Sequence, residues 1–114
     1  MKSFKHTIID CKGVSSDICK NDKLILETIE NVARKNGLNV INASRYRFGH
    51  NSPDGCTVFV MLDESHISLH TYAEEGRIAI DLFMREDINR NSIINEIKER
   101  LNLKDISIKE ISRF

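Results

Sequence analysis

The chain has 114 residues, 40% of them hydrophobic, and its 17 basic side chains balance 17 acidic ones for a formal net charge of zero. That length suits a single domain, 1–114, and the apolar content excludes a disordered chain. The neutral balance argues against nucleic acid or an anionic membrane as partner, no apolar run approaches a membrane span, and the MKSFKHTIID start lacks a signal peptide's apolar core. A cytoplasmic protein is expected. A domain this small buries only part of its surface, so a dimer that adds buried area is consistent with its size.

In chain order, Phe4–Cys11 alternates as a strand does, and Lys12–Ser16 reads as a turn or loop. Asn21 or Asp22 can cap a helix running to about Lys35, because Leu24, Ile25, Ile29, Val32 and Ala33 recur at helical spacing. Asn36-Gly37 ends it, glycine standing where a left-handed cap is wanted. Asn39–Phe48 reads as a second strand, and Gly49–Gly55, with two glycines and the only proline, as a loop. Three strands follow: Cys56–Leu62, apolar enough for a buried central strand, then His66–Tyr72 and Arg77–Met84. Asp87–Leu101 carries Ile88, Ile93, Ile94, Ile97 and Leu101 at helical spacing, and Asp105–Ser112 alternates as a last strand. The predicted fold class is α+β: a two-layer sandwich with a mainly antiparallel sheet and two helices on one face. Cys11, Cys19 and Cys56 show no CxxC spacing, which leaves them as small buried hydrophobes rather than a disulfide framework or zinc knuckle.

Reactive side chains concentrate in Leu62–Asp81, LDESHISLHTYAEEGRIAID. From spacing alone the favoured reading is a polar strand face, with His66, Ser68, His70 and Tyr72 alternating outward. A metal site is disfavoured, because strand residues four apart lie roughly 13 Å from each other. Nucleophilic catalysis by Ser65 with a histidine base is a third reading, although no G-x-S-x-G elbow surrounds that serine.

Glu64-Ser65-His66, followed by His70-Thr71-Tyr72-Ala73-Glu74, resembles the processing site of bacterial and archaeal S-adenosylmethionine decarboxylases. The resemblance extends in register through His6, Asp10, Asn21-Asp22, Pro53-Asp54-Gly55-Cys56-Thr57 and Ala79-Ile80-Asp81-Leu82-Phe83. It implies self-cleavage between Glu64 and Ser65 into chains 1–64 and 65–114, with Ser65 converted to a pyruvoyl cofactor. His70 would assist as acid or base, and Thr57 stands where the family has a hydroxyl that promotes elimination. The pyruvoyl group would then take the substrate amine and draw off the electrons left by carbon dioxide. The resemblance also implies a homodimer with its sites at or near the subunit interface, a small-molecule substrate and a role in polyamine synthesis; with the histidine spacing against it, no metal is expected. Phe48, Tyr72, Glu74 and Arg85 are the expected substrate-binding residues. Because Ser65 and His70 have opposite strand parity, their cooperation would need a turn or bulge around 64–66.

Three departures bear on substrate. Arg85 stands where the family has a proton-donating cysteine, and a guanidinium is a poor proton donor at neutral pH. It is left to bind a carboxylate or to face solvent, and Cys56 and His66 become the alternative donors. Tyr46 replaces a frequent histidine, and the Gly49–Gly55 loop is about three residues longer than usual, beside the aromatic Phe48 that would stack on adenine. S-adenosylmethionine is the family's default substrate. A repurposed enzyme acting on L-ornithine or L-arginine, with Glu74 facing the distal cation, is the alternative, and a non-catalytic dimeric homologue a further one.

Overall fold

The computed structural model describes residues 3–114. The elements run β1 (Phe4–Lys12), α1 (Ser16–Lys20), α2 (Asp22–Lys35), β2 (Val40–Phe48), β3 (Gly55–Leu62), β4 (Ser65–Tyr72), β5 (Arg77–Arg85), α3 (Arg90–Arg100) and β6 (Asp105–Arg113). Side-chain caps start all three helices among the described residues: Ser15 Oγ accepts from the Ile18 amide, Asn21 Oδ1 from Leu24 and Asn89 Oδ1 from Ser92. Each such cap contributes about 1 kcal/mol. Gly37, at φ 78°, closes α2 and lets the Leu38 amide reach back to the Ala33 carbonyl at 3.0 Å.

The strands form one six-stranded sheet in the order β2-β3-β4-β5-β1-β6, and every neighbouring pair is antiparallel. The helices cover one side of it, as the α+β expectation requires. The core lies between, where Val58, Val60, Ile67, Leu69, Ile80, Leu82 and Met84 meet Ile25, Ile29, Val32, Ile93 and Ile97. Burying one such side chain is worth about 1.5–3 kcal/mol, so this face dominates the stability of the fold.

Three expectations need correction. Lys12–Ser16 is only partly loop, because Ser15 caps the short helix α1; α3 begins at Arg90 rather than Asp87, where Asn89 supplies the cap. The strand β3 lies inside the sheet but is covered on one side only: Phe59 and Met61 are 39% and 46% exposed on the uncovered face. Arg90 is itself buried, and its guanidinium donates to the carbonyls of Lys5, Met84, Glu86 and Ile88. Those bonds tie the start of α3 to the ends of β1 and β5. No helix among the described residues is long and apolar enough to cross a membrane.

Candidate active site

The β3–β4 hairpin sets the site. Leu62 and Ser65 form its last cross-strand pair, so Asp63 and Glu64 are the only loop residues. Glu64 sits at φ 56°, a left-handed conformation that costs a side-chain-bearing residue about 1–2 kcal/mol. The backbone therefore turns at Asp63-Glu64, and Ser65 opens a regular strand. Ser65 adjoins two cavities. One, of about 220 Å³, lies between the hairpin, the α2–β2 turn and the end of β5. The other, of about 300 Å³, lies on the uncovered face with His6, His66, Phe83 and Arg113.

Alternation along β4 sends Ser65, Ile67, Leu69 and Thr71 one way and His66, Ser68, His70 and Tyr72 the other, onto the uncovered face. His66 lies between the rings of Phe59 and Phe83, with centroids 5.4 and 5.6 Å away. Burial, and then the neighbouring His6, push its pKa below the usual histidine value. His6 Nε2 is 2.9 Å from Asp81 Oδ1, and Ser68 Oγ donates to the other carboxylate oxygen at 3.5 Å. Composition does not reveal this network: its members come from three strands, and only the β1–β5–β4 register brings them together.

At the far end of β4, Thr57 pairs with His70 across the β3–β4 ladder, and Thr57 Oγ1 is 3.1 Å from His70 Nδ1. The hydroxyl donates when that nitrogen carries no proton. Phe48 and Tyr72 lie beside them, their ring centroids 6.5 Å apart, and Glu74 is exposed in the following turn. Gly55 makes this end possible: a Cβ there would collide with the Thr71 carbonyl oxygen and lie 2.6 Å from Phe48 Cζ. The long loop before it is held by Asp54, whose carboxylate accepts from Arg47 at 3.1 Å. The Arg47 hydrogen bond is the main reason the Asp54 pKa falls below the ordinary value.

The expected site residues thus form two groups. Glu64, Ser65 and Arg85 share the start of β4; Phe48, Thr57, His70, Tyr72 and Glu74 share its end. Five strand positions separate Ser65 from His70, roughly 16 Å, and their side chains take opposite faces. One chain does not bring them together. Arg85 binds carboxylates, its Nε 3.1 Å from Asp87 and Nη1 3.8 Å from Glu64. Cys56 is not available as a proton donor: it is wholly buried on the helix side, where burial raises its pKa and Thr71 bonds both its amide and its sulfur. Among the described residues, no three or more His, Cys, Asp or Glu side chains are grouped to hold a metal ion.

The pattern of the S-adenosylmethionine decarboxylase family matches residues 5–114. The chain belongs to that family. It is 31% identical over 109 residues to an S-adenosylmethionine decarboxylase proenzyme of Clostridium botulinum, covering 95% of this chain and 91% of that one. It is 34% identical over 106 residues to S-adenosylmethionine decarboxylase proenzyme 2 of Bacillus cereus, covering 88% and 84%. The crystal structure of the adenosylmethionine decarboxylase from Aquifex aeolicus superposes with a TM-score of 0.83 at 27% identity, covering 96% of this chain and 89% of that one. The family is one of decarboxylases, and the chain is an enzyme of that class. The proenzyme names fit a protein made as a precursor.

Proposed function

We propose that the chain is a self-cleaving S-adenosylmethionine decarboxylase proenzyme, cut between Glu64 and Ser65. The observation that carries the reading is the Glu64–Ser65 peptide, held at a hairpin turn with Glu64 left-handed and Ser65 bordered by open space. A serine so placed fits conversion to a pyruvoyl group, because its backbone lies at a strand end instead of deep in the ladder. In the first step Ser65 Oγ bonds to the Glu64 carbonyl carbon. The peptide C–N bond breaks, and the hydroxyl proton passes to nitrogen, leaving an ester. A base then removes the Ser65 α-proton, the Cβ–Oγ bond breaks and residues 1–64 leave with a free carboxylate. Water hydrolyses the remaining dehydroalanine to the pyruvoyl group and releases ammonia.

The Thr57–His70 pair is the natural acid–base pair for this chemistry, since an imidazole can both accept and donate a proton. Its distance from Ser65 favours a homodimer in which two uncovered sheet faces meet, each His70 reaching the backbone of the partner copy's Ser65 through the cavity that borders it on the uncovered face. Supporting this, Tyr46, Phe59, Met61 and Tyr72 are all exposed on that face, and sheets packed face to face stand about 10 Å apart, within side-chain reach.

When formed, the pyruvoyl group supplies an electrophilic carbonyl that takes the substrate amine and accepts the electrons released with carbon dioxide. Phe48 and Tyr72 then offer ring faces to the adenine of S-adenosylmethionine, and Glu74 offers a carboxylate to its ribose. Arg85 is engaged by two carboxylates, so proton return falls to His66, the chain neighbour of Ser65, whose ring lies on the uncovered face. The product feeds polyamine synthesis, and three free thiols suit a reducing cytoplasm.

The test is the intact mass of the denatured protein beside Ser65→Ala, followed by carbon dioxide release from S-adenosylmethionine, ornithine and arginine. Expected are fragments ending at Glu64 and beginning with a pyruvoyl group, an uncut Ser65→Ala, and turnover of S-adenosylmethionine. An uncut natural chain overturns the processing reading, and turnover of ornithine or arginine alone overturns the substrate.

A further inference from the structure

Arg85 does not act as the family's cysteine does, yet its surroundings give it a task. The β4–β5 register runs His66 opposite Phe83, so continuing the ladder sets Glu64 opposite Arg85. The Arg85 guanidinium spans two carboxylates: Nε to Asp87 at 3.1 Å and Nη1 to Glu64 at 3.8 Å. Its backbone is pinned on both sides, because the buried Arg90 donates to the carbonyl of Met84 at 2.6 Å and to that of Glu86 at 3.3 Å. The Glu86 amide in turn donates to the Ser3 carbonyl at 2.9 Å. A fixed strand end therefore carries a guanidinium, oriented by Asp87, to the side chain of the residue whose carbonyl is to be attacked.

We infer that Arg85 is a positioning residue for self-cleavage: by holding the Glu64 carboxylate it keeps Glu64 left-handed and its carbonyl presented to Ser65 Oγ. The inference rests on the processing reading above. The guanidinium replaces a catalytic thiol with a contact that acts before turnover, at the cut itself.

The experiment follows cleavage of freshly purified full-length chain by intact mass over time. Arg85→Gln and Glu64→Gln each slow cleavage about five-fold, the scale of one half-exposed ion pair. The double variant is no slower than either single one, Arg85→Lys recovers part of the rate, and about 1 M salt slows the natural chain toward the Arg85→Gln rate. In a Ser65→Ala background, melting temperatures with and without Arg85→Gln are equal, which separates positioning from folding. If the natural chain cuts and Arg85→Gln cuts equally fast, or if the two single effects add, the inference fails while the processing reading stands. If the natural chain never cuts, the processing reading fails and takes this inference with it.

Discussion

The start of β4 holds a serine behind a left-handed glutamate, with an arginine opposite and cavities on both sides. Its end holds a hydroxyl–imidazole pair, two aromatic rings and an exposed carboxylate. Under the proposed function the first set is the one to be cut, and the second moves protons and binds a ring system. Neither is complete alone, and roughly 16 Å of strand keeps them apart. The lesson concerns the sheet as much as the site. One face is sealed by helices and carries stability, while the other is uncovered and carries His66 and the Thr57–His70 end; under the proposed function, a second such face laid antiparallel on it would bring the Ser65 hairpin of one copy to the His70 end of the other.

That division of labour can be broken from either side. Leu69→Ala, on the sealed face in the middle of β4, is expected to cost about 2–5 kcal/mol in denaturant unfolding of the uncut Ser65→Ala protein. Met61→Ala, on the uncovered face, is expected to cost far less in a monomer and to show its effect in the dimerisation constant measured by analytical ultracentrifugation. Equal costs in unfolding, with no change in association, would erase the distinction between the faces.

Gly55→Ala strikes the far end alone. Its Cβ meets the Thr71 carbonyl and the Phe48 ring, so about 1–3 kcal/mol of overpacking should fall on the Thr57 strand end. Substrate affinity of the cut enzyme should weaken through Phe48, readable as a raised KM. A smaller effect belongs to pH. Because the His66 pKa is lowered in the fold, the unfolded chain binds the extra proton first as pH falls below about 6.5. Stability is therefore full above that pH, declines as pH drops toward the lower folded value and levels off below it. A pH series of melting temperatures for Ser65→Ala should show this slope, and adding His66→Phe should flatten it.

Much of this is legible in the sequence. Strand and helix periods located every long element, and the alternation of β4 already placed His66 and His70 on one face. Helix α1 was not legible, because five residues are too few to show a period and their cap, Ser15, looks like loop sequence. The run Cys56–Leu62 reads as buried on both sides because Phe59 and Met61 are apolar although uncovered. The candidate residues came from resemblance, since spacing alone described only a polar strand. What neither supplied was distance. The separation of Ser65 from His70, the carboxylates on Arg85 and the His6–Asp81 contact, 75 positions apart in sequence, all depend on register.

The most direct measurement mixes two defects. Ser65→Ala and His70→Ala chains are expressed separately and together, and each is weighed intact. Alone, both should remain uncut. Together, the His70→Ala chain should be cut after Glu64, because the Ser65→Ala partner lends it an intact Thr57–His70 pair. If the mixture stays uncut while the natural chain cuts, or if His70→Ala cuts by itself, the two ends of β4 do not serve each other across a dimer and the central claim is contradicted.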